Sequence, residues 1–118
     1  MNQSNFNEHV EECFERSRKV LVQKRAEYSK DKDVFHNFNN AIGISLHDTN
    51  VAVAWEYCVK HLQSIKDIIE AVETTALNLT VSKDVLSEKF GDAINYFLLI
   101  EGMLKEIIDN QKNVNEQI

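Results

Sequence analysis

Not one proline occurs in this chain of 118 residues, and only three glycines, Gly43, Gly91 and Gly102, interrupt it. A fold made of many short strands needs turns at close intervals, and turns draw on Gly, Pro, Asn and Asp. A chain so poor in breakers is confined to long helices joined by a few polar connections. The expected fold class is all-α. The length suits one domain spanning residues 1–118, with a polar, frayed tail after about Gln111.

Hydrophobic periodicity divides the chain into three long helices and one short one, a four-helix bundle-like arrangement. Ser4 offers an N-cap to a first helix running to about Tyr28. Phe6, Val10, Cys13, Phe14, Ser17, Leu21, Lys24 and Tyr28 recur there at three- and four-residue steps. A charged connector, Ser29–Asp33, leads to a short helix ending near Gly43, anchored by Phe35 and Phe38 at i and i+3. The loop His47–Asn50 precedes a third helix from about Val51 to Glu73. Its stripe is Val51, Ala54, Trp55, Cys58, Leu62, Ile65, Ile69 and Val72, with Glu56 and Lys60 as an i,i+4 pair on the other side. After the Thr74–Leu79 connector, Ser82 caps a fourth helix running to about Asn110. Its main stripe is Leu86, Phe90, Ala93, Phe97, Ile100, Leu104 and Ile107, and Leu98, Leu99 and Met103 form a second apolar flank. A helix apolar over more than half its circumference buries more than one face, which points to a helix-to-helix dimer.

Composition narrows the function classes. A net charge of −6 argues against a nucleic-acid platform, because phosphate backbones are held by clustered Lys and Arg. The basic residues Arg16, Arg18, Lys19, Lys24 and Arg25 do bunch, but glutamates interleave with them. The N-terminus has neither the basic nor the apolar region of a signal peptide, and no apolar run approaches the roughly 20 residues of a membrane span. Cys13 and Cys58 fit reduced core thiols better than a disulfide in a chain of cytoplasmic character.

The most informative stretch is Glu88–Tyr96. At 100° per residue Glu88, Asp92, Asn95 and Leu99 share a sector of about 60°, well off the main stripe. Two carboxylates one turn apart on a rigid element are what a hard cation such as Mg²⁺ uses, with water and phosphate oxygens completing the shell. The plainer reading is that Glu88 and Asp92 cap and pair with basic side chains. His36 and His61 carry the same ambiguity: each sits beside an apolar face as a bonded structural histidine or as a group turned to a ligand.

Taken together, K-x-x-E-Y (Lys24–Tyr28), F-H-N-F (Phe35–Phe38), K-H-x-x-S-I-x-D (Lys60–Asp67) and E-K-x-x-D-A-I-N-Y (Glu88–Tyr96) resemble a family of small bacteriophage and prophage proteins. The family is described as MazG-like, or nucleotide-modification-associated, and the resemblance covers roughly residues 20–105. It implies an all-α nucleoside triphosphate pyrophosphatase-like fold, assembled as a dimer or tetramer, with a Mg²⁺-dependent (d)NTP site between helices. In that picture Glu88 and Asp92 are the catalytic and metal carboxylates, with Asp67 on the facing helix as a third metal ligand. Lys60 and His61 face phosphate, Asn95 and Tyr96 contact the substrate, and His36 and Asn37 hold the base or sugar.

One departure matters. MazG enzymes set an E-x-x-E helix against an E-x-x-D helix, whereas here the acidic pair is E-x-x-x-D and the facing helix offers Lys60, His61 and Asp67. Fewer carboxylates weaken the metal site and leave open whether the protein is an enzyme. The alternative is a non-catalytic helical homodimer acting as a protein-interaction module.

Overall fold

A computed structural model describes residues 1–24, 33–74 and 81–116. Among them every regular element is helical, and the fold is all-α. The chain divides into two compact units, Met1–Val34 and Phe35–Ile118.

The first unit is built on α1 (Gln3–Arg18), which continues as a π-helical segment over Lys19–Lys24. The cap is Asn2, not Ser4: the Asn2 side chain accepts from the backbone N–H of Asn5 at 2.8 Å. Asn caps as well as Ser does, and its position two residues upstream starts the helix earlier. The expected stripe is not a buried one. Phe6 and Phe14 are exposed, and the buried residue of α1 is Ser17, which interrupts the apolar pattern. The remainder of this helix as expected, to Tyr28, and the connector at 29–32 lie outside the described residues.

The second unit holds α2 (His36–Ser45), α3 (Asn50–Thr74) and α4 (Lys83–Glu116). The eight residues between α3 and α4 span at most about 30 Å. A return to the start of α3 would take about 37 Å at 1.5 Å per residue, so α4 runs back antiparallel along α3. Ser82 caps α4 as expected, its Oγ accepting from Val85 N–H at 3.1 Å. The helix then continues to Glu116, six residues past the expected end at Asn110. Helix α2 does not stop at Gly43. It runs to Ser45 and is closed by Leu46 in the left-handed region at φ 65°. Gly43 lies in the helix with open space around it, so it exerts no turn-forming effect.

Phe35 and Phe38 are both buried and pin α2 to the hairpin, each contributing roughly 1.5–3 kcal/mol by burial. Gly102 makes room for the first of them: a Cβ there would lie 3.2 Å from Phe35 Cζ. The Asn50 amide donates to Asn39 Oδ1 at 2.9 Å, and Thr49 Oγ1 accepts from Ala52 N–H at 3.1 Å, so the α2–α3 corner is held by side chains.

Which faces meet inside the hairpin is the main surprise. On α3 the buried residues are Val53, Ala54, Cys58 and Ile68; on α4 they are Gly91, Ala93, Asn95, Leu99 and Met103. Of the expected main stripes, Ala54, Cys58 and Ala93 are buried, but the bulky members are turned away. Trp55, Ile69 and Val72 on α3, and Leu86, Phe90, Phe97, Leu104 and Ile107 on α4, are exposed. The face of α4 that packs on α3 is therefore the one carrying Asp92, Asn95 and Leu99. Small residues explain this choice, since Ala54, Cys58, Gly91 and Ala93 let two backbones approach more closely than Trp55 and Phe97 would. Cys58 is a core thiol, as expected, and burial pushes its pKa up. Cys13 is only half-buried, with its Sγ 3.7 Å from His9 Nε2, and both cysteines are free.

Candidate functional site

The polar residues singled out on α3 and α4 converge halfway along the hairpin because the faces that meet are the polar-edged ones. Residues four apart on one helix share a face, so α3 presents Tyr57 and His61 in line while α4 presents Asp92 and Tyr96. The imidazole of His61 packs on the ring of Tyr96, centroids 4.9 Å apart at 32°. Its Nδ1 lies 3.9 Å from Asp92 Oδ2. That separation is too long for a hydrogen bond and short enough for a charged contact when the ring is protonated. Both side chains keep a share of their surface open, 26% for His61 and 42% for Asp92.

Phe38 of α2 closes the arrangement from the other direction. It meets Tyr96 edge-on, with centroids 6.1 Å apart at 77°, and Tyr57 at 6.3 Å and 47°. Four rings thus run in sequence, Tyr57, Phe38, Tyr96 and His61. A cation stands at one end, where Lys60 Nζ lies 5.8 Å from the centre of the Tyr57 ring. A carboxylate, Asp92, stands at the other. Phe38 is itself buried, so the accessible part of the line lies on Tyr57, Tyr96 and His61, each half-buried.

Asn95 adds an unusual feature. It is buried, and its Oδ1 has no hydrogen-bond partner among the described residues. A buried amide oxygen left unmatched costs about 1–3 kcal/mol. A cost of that size inside the hairpin calls for a reason beyond packing.

The remaining candidates are placed less tightly. Glu88 is exposed one turn before Asp92, on the same face of α4, with no ion pair among the described residues. Asp67 does not join them. Its Oδ1 accepts from Gln63 Nε2 at 3.0 Å, and no group of three His, Cys, Asp or Glu able to hold a metal ion forms among the described residues. The expected triad of Asp67, Glu88 and Asp92 is therefore not assembled, because Asp67 falls on the solvent side of α3. On α2, His36 is engaged by its own helix, its Nε2 lying 2.9 Å from Asn40 Nδ2, and Asn37 is exposed. No described contact joins either of them to His61 or Asp92. Lys60 does not pair with Glu56, which is taken instead by His47 Nε2 at 2.9 Å. The ammonium group of Lys60 stands instead over the Tyr57 ring, with no carboxylate partner among the described residues.

Two members of the ring sequence, Phe38 and Tyr57, carry no site role in the sequence reading. A signal for Tyr57 exists: it stands four residues before His61, one turn along the same face.

Glu88 and Asp92 are the two carboxylates a hydrated divalent cation could use. Mg²⁺ keeps several waters and takes one or two carboxylates together with phosphate oxygens. Glu88 and Asp92, one turn apart and both accessible, match that requirement. They do not match a cage made of protein ligands alone.

No family model, no curated protein and no solved structure matches this chain.

Proposed function

We propose that the chain is a MazG-like nucleotide-binding protein of the phage type, cytoplasmic and homo-oligomeric. It takes a (d)NTP with Mg²⁺ at the centre of the hairpin and has the makings of a pyrophosphohydrolase. One observation carries the reading: His61 packs on the Tyr96 ring with its Nδ1 near the Asp92 carboxylate, and the Lys60 ammonium stands over the Tyr57 ring one turn away. Tyr96 and the rings behind it supply a stacking surface. Lys60 supplies positive charge and His61 a ring N–H for phosphate oxygens, and Asp92 with Glu88 accepts the cation that travels with them. Bound Mg²⁺ would neutralise phosphate charge and hold the chain of phosphates extended. Asn95 would satisfy its carbonyl by donation from the ligand.

Hydrolysis would add water across the α–β linkage, giving a nucleoside monophosphate, pyrophosphate and a proton. In this reading the Asp92 carboxylate would accept that proton. Pyrophosphate release, followed across the common (d)NTPs with Mg²⁺, tests the catalytic part. Release abolished by Asp92→Asn supports it; no release from any of them restricts the protein to binding.

A second reading, a non-catalytic homodimer that presents an interaction surface, is favoured by the exposed apolar stripes of α3 and α4. Self-association with no response to any nucleotide would select it.

A further inference from the structure

The His9–Cys13 pair of α1 takes no part in the nucleotide reading. The two residues stand four apart, one turn along one face of the helix. The Cys13 sulfur lies 3.7 Å from His9 Nε2 and 3.9 Å from Nδ1. A zinc-type ion holds sulfur at about 2.3 Å and imidazole nitrogen at about 2.0–2.1 Å, and at a tetrahedral angle those bonds set the two atoms about 3.6 Å apart. The pair therefore stands close to the span of a chelate before any ion arrives. His9 is exposed and Cys13 half-buried, so both are reachable from solvent. Phe6, one turn before His9, packs near its imidazole with centroids 6.2 Å apart and narrows the rotamers open to it.

A second observation lies on the same line. Ser17 follows Cys13 by four residues and is only 6% exposed, yet its Oγ has no hydrogen-bond partner among the described residues. A helical serine that points inward ordinarily donates to the carbonyl four residues back, here that of Cys13. This one does not. Helical side chains lean towards the N-terminus, so the Ser17 hydroxyl leans over the turn that carries Cys13. A neutral thiol is a weak acceptor for it, whereas an ionised group makes a hydrogen bond roughly twice as strong as a neutral one. The surrounding charge also has the sign that attracts a cation: from Gln3 to Glu15 the helix carries Glu8, Glu11, Glu12 and Glu15 and no lysine or arginine.

We propose that His9 and Cys13 form a two-ligand site for a divalent ion of the zinc type, with Ser17 bonding the ionised sulfur or a metal-bound water. No third His, Cys, Asp or Glu joins the pair among the described residues, so water fills the remaining positions. Thiolate and imidazole select zinc and its neighbours in the first transition row, whereas Mg²⁺ takes oxygen ligands. On binding, the metal replaces the thiol proton, which leaves to solvent. The site lies in the first unit and depends on neither the nucleotide reading nor the Glu88 and Asp92 carboxylates.

The test uses the full chain, reduced and freed of metal, with Co²⁺ as the optical probe and Zn²⁺ as the competitor. Co²⁺ is expected to raise a sulfur-to-metal charge-transfer absorption in the near ultraviolet, removed by Zn²⁺ and unchanged by excess Mg²⁺. Cys13→Ser and His9→Ala should each abolish the band with helical circular dichroism retained, and Cys58→Ala should leave it intact. Ser17→Ala should weaken Co²⁺ binding about tenfold, the scale for a group that orients a metal's ligand from outside its shell. Without any substitution, Zn²⁺ should slow the reaction of Cys13 with a thiol reagent. The absence of a charge-transfer band, a band that survives His9→Ala, or one displaced by Mg²⁺ as readily as by Zn²⁺ would each overturn the proposal. Wild-type affinity in Ser17→Ala would remove Ser17 from the site.

Discussion

The imidazole of His61 rests on the ring of Tyr96, with centroids 4.9 Å apart, and each residue comes from a different arm of the helical hairpin. The pair therefore ties α3 to α4 while keeping part of each ring accessible. An aromatic pair of this kind contributes about 0.5–1.5 kcal/mol beyond its area. His61→Ala should lower stability by about that amount in urea denaturation. It should also weaken nucleotide binding by much more than Lys66→Ala does on the same helix. Equal effects of the two substitutions on binding would remove His61 from the site.

Asn95 should show a trade between stability and function. Its Oδ1 is buried without a partner among the described residues, so Asn95→Leu, of similar volume, should raise stability by about 1–3 kcal/mol. The same variant should lose its response to nucleotide. A destabilised Asn95→Leu would mean that the amide is satisfied in the folded protein and that its burial is structural.

The two helical glycines separate packing from propensity. Gly43→Ala meets open space and should gain about 1 kcal/mol from helix propensity alone. Gly102→Ala places a Cβ 3.2 Å from the Phe35 ring, so crowding should cancel part or all of the same gain. Denaturant midpoints for the two variants, compared with wild type, check the ordering. A Gly102→Ala gain equal to that of Gly43→Ala would show that Phe35 does not pack there.

Cys58 gives the chain a defined pH response. Burial raises its thiol pKa in the folded state, so the native protein keeps a proton that the unfolded chain releases near pH 8.5–9. The unfolded state then binds fewer protons, and stability falls as pH rises through that range. Cys58→Ala should remove this part of the decline, visible as a flatter difference between the two proteins from pH 8 to 10. Native protein should expose one fast-reacting thiol, Cys13, with Cys58 reacting only on unfolding.

How far the sequence carries can be argued from these same residues. The helices were legible because proline is absent and apolar residues recur at three and four steps, and Ser82 marked the start of α4 through its cap. Phe35 and Phe38 read correctly as anchors because two large rings one turn apart have few other uses. The facing of the long helices read correctly only in part: Ala54, Cys58 and Ala93 of the expected stripes are buried, whereas the large side chains of the same stripes are exposed. Periodicity ranks faces by hydrophobicity, whereas close helix approach favours small side chains, so Cys58, Gly91 and Ala93 met in the hairpin while Trp55 and Phe97 turned outward. In the candidate site, Asp92 was singled out by its spacing from Glu88, His61 by its place beside an apolar face and Tyr96 by the resemblance, and the three were found together. Asp67 was not, because a carboxylate two turns from the contact line of α3 has solvent and Gln63 to satisfy it. Phe38 and Tyr57 were missed as site residues, since an aromatic ring in a stripe carries the same signal whether it fills a core or lines a site.

The central claim is that the His61–Asp92–Tyr96 cluster binds a Mg²⁺-nucleotide. Its most direct test is the thermal unfolding midpoint of the full chain, measured with Mg²⁺ and each (d)NTP in turn. The account predicts a rise for at least one nucleotide that depends on Mg²⁺ and disappears in Asp92→Asn, whose own midpoint without ligand stays close to wild type. A midpoint unmoved by every nucleotide, or a rise that survives in Asp92→Asn, would contradict it.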